Sequence, residues 1–136
     1  MIVVVMGPPC GGKSFYVRQE AKTGDVIIDM DVMAMALEFE SFMHDCDEMT
    51  RAIARAARNA AVSEGLRTFQ GERRRTLFII HTDPPREMRL VYRAAGARFV
   101  IQDPGKKVCL ERAKNRPLQN QKLVRRVLDD YYSKRV

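Results

Sequence analysis

Four short apolar runs, rich in β-branched residues, recur along the chain at positions 1–6, 25–29, 77–80 and 98–102. None of them alternates apolar with polar residues, so each predicts a strand buried on both faces. The intervening stretches read as helices: 13–22, 31–42, 49–69, 84–95, 106–114 and 118–134. The third of these carries Ile53, Ala56, Ala57, Ala60 and Ala61 on one side, while Arg51, Arg55 and Arg58 recur at helical spacing and share a face. Turn and cap residues punctuate the pattern. Gly7 to Gly12 break the first strand, Thr23-Gly24 introduces the second, and 42–48 is an acidic connection. Residues 70–75 form a charged loop, Pro84-Pro85 opens a helix that Gly96 ends, and Pro117 separates the last two. Asp31 and Asp103 stand where helix N-caps are expected. Strands alternating with helices predict an α/β architecture, a parallel sheet of about four strands covered on both faces in three layers.

Length and composition narrow this reading. At 136 residues the chain has room for one domain, here 1–136, and 46% hydrophobic content is that of a globular core. No apolar run approaches the ~20 residues that cross a bilayer, so no membrane partner is expected. Residues 1–6 lack the basic stretch and cleavage site of a signal peptide. Cys10, Cys46 and Cys109 are odd in number and irregularly spaced, which suits neither a disulfide framework nor a zinc site and points to a reducing cytoplasm. The net charge of +7 is unevenly placed. Residues 1–50 hold three basic and nine acidic side chains, and residues 51–136 hold 21 and eight. A basic half of that size favours an anionic partner, a nucleotide or a nucleic acid, although solvated helix faces account for part of it.

The chemistry concentrates after the first strand. Gly7-x-x-x-x-Gly12-Lys13-Ser14 matches the phosphate-binding pattern G-x-x-x-x-G-K-[ST] in full, in the strand–loop–helix context it requires. Glycines let backbone N–H groups approach a phosphate, and the helix N-terminus behind them favours negative charge. Lys13 is placed for the β- and γ-phosphates, and Ser14 for Mg²⁺. The cofactor-binding set is Gly7, Pro8, Pro9, Cys10, Gly11, Gly12, Lys13, Ser14 and Phe15. Asp29 and Asp31 end the second strand, at the sheet edge where ligands of parallel sheets bind. Asp31 is the candidate general base. Asp29, with Ser14 and with Asp83 after the third strand, is a candidate metal ligand. Arg112 and Arg116, four apart on one helix face, suit phosphate contact. His44 and His81 have no partner at metal-ligand spacing and receive no role.

Together these residues resemble the small P-loop kinases related to phage polynucleotide 5′-kinase, and compact phage-type P-loop (AAA-like) ATP-binding proteins. The resemblance covers nearly the whole chain and is carried by Gly7 to Ser14, Asp31, residues 77–80 and residues 98–116. It implies a P-loop NTPase fold with a short helical lid over 105–126 and, as cofactors, ATP or another NTP with Mg²⁺. It implies that Asp31 activates an acceptor hydroxyl, and that Arg112 and Arg116 belong to the lid, the second stabilising the transferring phosphoryl group. It also implies that residues 124–132 form the closing helix. Ala34 stands where that family carries an arginine for a substrate 3′-phosphate, and His81-Thr82-Asp83 stands where it has an Asp directly after the strand. Zeta-toxin-like sugar-nucleotide kinases and small nucleotide kinases share the framework.

The expectation is therefore an ATP/Mg²⁺-dependent phosphotransferase acting on a nucleotide, a nucleoside or a nucleic-acid 5′ end. The alternative is a nucleotide-dependent ATPase or switch accessory protein that binds nucleic acid or a protein partner, supported by Arg51, Arg55, Arg58 and the run Arg73-Arg74-Arg75.

Overall fold

A computed structural model describes residues 1–135. Four strands, β1 (Ile2–Met6), β2 (Val26–Ile28), β3 (Leu77–Ile80) and β4 (Arg98–Ile101), form one all-parallel sheet in the order β2-β3-β1-β4. Six helices connect and flank them: α1 (Lys13–Glu20), α2 (Met30–Leu37), α3 (Glu48–Thr68), α4 (Arg86–Ala94), α5 (Lys106–Ala113) and α6 (Leu118–Ser133).

The register explains why the strands are apolar throughout. Val4 pairs with Ile79 on one side and Phe99 on the other, and Val3 pairs with Phe78 and Arg98. Successive side chains point to opposite faces. Ile2, Val4, Leu77 and Ile79 pack under Val62 of α3 and Tyr92 of α4. Val3, Val5 and Phe78 pack against Val17 of α1 on the other face. Both faces are thus covered over β1 and β3, which is why an alternating pattern is absent there, whereas the edge strands are not buried on both faces as expected: Ile27 of β2 and Ile101 of β4 are exposed. A third cluster, Cys109 and Ala113 of α5 with Val124 and Leu128 of α6, joins the last two helices, and Cys10 of the glycine-rich loop rests on it.

Three local expectations are corrected. The second helix ends at Leu37, not near 42, because Glu38 is extended and Glu40 takes a left-handed φ of 55°. The following segment, 38–47, turns the chain back so that α3 packs on α2, with His44 at φ 67°. The α2 cap is Asp29, whose Oδ1 accepts from the Asp31 N–H at 3.0 Å, so Asp31 is not the cap. The α5 cap is Gly105, and Asp103, two positions before it, instead accepts the Gly105 N–H at 3.0 Å.

The topology decides where a ligand can sit. β1 lies between β3 and β4; the connection after β1 runs to β2 at one edge of the sheet and the connection after the neighbouring β3 runs to β4 at the other, so the two diverge at the C-terminal edge and leave a crevice.

Candidate active site

The loop after β1 is held by backbone contacts on both flanks. The Gly7 N–H donates to Thr82 O at 3.1 Å, after β3, and the Gly11 N–H donates to Pro8 O at 3.0 Å. On the β4 side the Gln102 carbonyl presses on the loop. A Cβ at Gly7 would lie 2.0 Å from Gln102 O and one at Gly11 2.5 Å from it, so neither position admits a side chain. Gly7 also has φ 144°, in the range that favours glycine.

This loop delivers the N-terminus of α1 into the crevice. The first intrahelical bond runs from the Tyr16 N–H to Gly12 O at 2.9 Å. The N–H groups of Lys13, Ser14 and Phe15 therefore have no intrahelical acceptor and are available to an anion. The Lys13 side chain is 9% exposed, and its ammonium donates to Gly7 O at 2.8 Å and Pro8 O at 2.6 Å. Burial pulls its pKa down from 10.5 to about 8, against the raising effect of Asp31 and Asp29.

The cap of α2 brings the carboxylates to the same place. Ser14 Oγ donates to Asp29 Oδ2 at 3.1 Å. Asp31, one residue into α2, has Oδ2 3.5 Å from His44 Nδ1. Burial pushes the Asp31 pKa up, but His44, Arg116 and Lys13 together outweigh it and hold the carboxyl below its ordinary value of 3.8. Asp31 is thus ionised at neutral pH and able to accept a proton.

These groups face one cleft of about 530 Å³, within the range that encloses small ligands. Its walls include Gly11 to Phe15, Asp29, Asp31, Thr82, Arg112 and Arg116. Arg112 also donates to Cys10 O at 3.1 Å, which ties α5 to the loop. Across the loop a second recess is walled by Phe15, Ile101, Gln102, Pro104 and Arg112.

Of the residues expected from sequence, Pro9 to Ser14, Phe15, Asp29, Asp31, Arg112 and Arg116 all line the main cleft, and Gly7 and Pro8 hold it from behind. Asp83 stands apart. It forms ion pairs with Arg89 at 2.8 Å and Arg135 at 2.9 Å and lines a different depression with Arg86 and Lys134, so, against expectation, it is not brought to Ser14 and Asp29. Thr82 takes the position beside the loop instead.

His44, Arg51 and Asn120 also line the cleft, although the sequence pattern did not place them there. His44 sits in an irregular connection 13 positions from its partner. Arg51 reads as one of a stripe that the fold splits: Arg51 faces the cleft, Arg55 is exposed, and Arg58 is buried against His81 and Tyr92. That last group is structural. His81 Nδ1 meets Tyr92 Oη at 3.0 Å, and burial with the nearby Arg58 charge lowers the His81 pKa to about 4.

No known family model matches the chain, and no curated protein matches it at a significant level.

Proposed function

We propose that the chain is an ATP- and Mg²⁺-dependent phosphotransferase of P-loop type, moving the γ-phosphoryl group to a hydroxyl of a nucleotide, nucleoside or nucleic-acid end. The observation that carries the reading is the meeting in one cleft of a buried ammonium, free helix N–H groups, a Ser–carboxylate pair and a second, ionised carboxylate.

The donor set suits the cofactors. Mg²⁺ takes oxygen ligands, keeps several waters and needs only one or two protein groups beside phosphate oxygens. Ser14 Oγ and Asp29 Oδ2, already in contact at 3.1 Å, are such groups. Among the described residues no three His, Cys, Asp or Glu side chains cluster, so phosphate oxygens and water would complete the shell. The ion, when bound, neutralises charge on the phosphates. The N–H groups of Lys13, Ser14 and Phe15 and the Lys13 ammonium bind and orient the phosphate chain. The recess walled by Phe15, Ile101 and Pro104, with Gln102, Asp103 and Arg112 as polar groups beside them, suits the base of the nucleotide. Asp31 takes the proton of the attacking hydroxyl, and Arg116, with Arg112, balances charge on the transferring group. Positioning and electrostatics supply most of the rate in such chemistry.

Labelled-ATP transfer to a panel of nucleosides, nucleoside monophosphates and oligonucleotides tests the reading. Transfer to one acceptor class is expected. Nucleotide binding without transfer to any acceptor would overturn it, and hydrolysis stimulated by DNA or RNA would favour an ATPase or switch instead.

A further inference from the structure

The recess on the β4 side of the glycine-rich loop has a volume of about 600 Å³. Gly11, Gly12, Phe15 and Arg112 line both this recess and the main cleft, so a ligand held by the free N–H groups of α1 can extend from one into the other. Phe15, in the first turn of α1, and Ile101, the last residue of β4, are 62% and 65% exposed and line the recess together. Two large apolar side chains open to water in one recess give it a surface for an uncharged group.

Asp103, two residues past β4, is the acidic member of the same wall. Its Oδ1 accepts the Gly105 N–H at 3.0 Å and the hydroxyl of Tyr132 from α6. Tyr132 stands edge-on to Tyr131 and packs on the cluster that joins α5 and α6. The carboxylate is thus fixed by contacts 2 and 29 positions away in the chain. Its Oδ2 has no protein partner among the described residues, and the residue is exposed, so that oxygen is free to meet a ligand. A carboxylate oxygen only accepts hydrogen bonds. Its charge opposes a phosphate chain, so it favours an uncharged, donor-bearing part of the same ligand. In a nucleoside triphosphate those donors are the N–H groups of the base and the hydroxyls of the ribose.

We infer that Asp103 is a specificity-determining residue of the nucleotide site. Its Oδ2 accepts a hydrogen bond from the nucleoside part of the triphosphate, and Tyr132 is the positioning residue that aims it. This rests on the proposed reading for the presence of a nucleotide at the loop, though not for phosphoryl transfer. A base N–H and a ribose O–H share this chemistry, and the test separates them.

The test is calorimetric titration of the whole chain, wild type and Asp103→Asn, with ATP and with inorganic tripolyphosphate, each with Mg²⁺. In the variant the Tyr132 hydroxyl and the Gly105 N–H retain the amide oxygen, so an NH₂ group replaces Oδ2 and presents a donor to a donor. ATP should bind about tenfold more weakly or worse, while tripolyphosphate binds as tightly as before or tighter, because a negative charge is gone. Neither misfolding nor a change of net charge alone divides the two ligands in this way. Tyr132→Phe should weaken ATP by less, leave tripolyphosphate unchanged, and add nothing in the Asp103→Asn background. ATP affinity unmoved by Tyr132→Phe overturns the positioning role. Analogues assign the donor: purine riboside triphosphate lacks the base amino group, and 2′-deoxy-ATP and 3′-deoxy-ATP each lack one hydroxyl. The analogue without the group that Asp103 meets should lose the difference between wild type and Asp103→Asn. Unchanged ATP affinity in Asp103→Asn, equal weakening of ATP and tripolyphosphate, or a full difference with all three analogues overturns the inference. The two readings fail separately. Asp103-dependent ATP binding with no transfer to any acceptor leaves the nucleoside contact standing and sinks the phosphotransferase, whereas transfer with Asp103-independent ATP binding does the reverse.

Discussion

Ser14 Oγ lies 3.1 Å from Asp29 Oδ2, so a single hydrogen bond ties the first turn of α1 to the end of β2. The two strands that carry these residues are not neighbours in the sheet, since β3 lies between them. The contact therefore depends on the C-terminal edge of the whole sheet.

On the proposed reading, Ser14→Ala removes one of the two protein oxygens available to Mg²⁺. The transfer rate should fall on the order of 10²-fold. The extra melting shift that Mg²⁺ adds to ATP should shrink toward that of ATP with a chelator. An undiminished Mg²⁺ effect would remove Ser14 from the metal site.

Lys13 has a pKa of about 8 in the folded chain against 10.5 ordinarily, with burial as the main cause. Between those values the unfolded chain holds a proton that the folded chain has released, so the ligand-free fold gains stability as pH rises across that window. Below pH about 8 the cost of the buried charge is fully present. Thermal melts of wild type and Lys13→Met from pH 7 to 10 should show this rise in the first and not the second. ATP affinity should move the other way, weakening as the ammonium is lost. Lys13→Met should also abolish transfer while the chain stays folded.

Asp31→Asn should lower transfer on the order of 10²–10⁴-fold while the ATP-induced melting shift persists. Because His44, Arg116 and Lys13 hold Asp31 below the ordinary carboxylate value, activity should persist as pH falls past that value and fade only below it. His44→Gln removes the nearest of these groups, so the acid limb of the kcat/KM profile should move upward. An unmoved limb would show that the 3.5 Å contact has no influence on the base.

Tyr92 of α4 is fully buried against the sheet face, edge-on to Phe99, and its hydroxyl meets His81. Tyr92→Phe keeps the packing and loses that bond, which should cost about 1 kcal/mol in urea unfolding. Tyr92→Ala leaves a cavity and should cost about 3–5 kcal/mol. ATP binding should survive Tyr92→Phe, since Tyr92 lies outside the cleft.

Much of the site is local in sequence, and that much was legible. The eight residues from Gly7 to Ser14 build their own conformation, and Asp29 and Asp31 follow a strand whose end must open on the same edge. Arg112 stands on α5, but α5 ends at Ala113 and Arg116 lies in the turn before α6, so both reach the cleft without sharing the one helix face that their spacing predicts. Helix ends were read less well. A short polar side chain signals a cap, but whether Asp29 or Asp31 performs it depends on which backbone N–H lies within reach. Asp83 follows β3 as a metal ligand would, yet Arg89 and Arg135 claim it from α4 and the chain end, 6 and 52 positions away.

By itself the sequence determined the order of strands and helices along the chain, the burial of the central strands β1 and β3 on both faces and the glycine pattern of the loop, because hydrophobic period and glycine placement act over a few residues. Only the tertiary structure decided that His44 would stand against Asp31, that Arg51 alone of its stripe would enter the cleft, and that Asn120 would be buried there without a partner. Those outcomes depend on the left-handed turns at Glu40 and His44 and on how α6 packs against α5. Such contacts join residues far apart in the chain, and no periodicity within either segment encodes them.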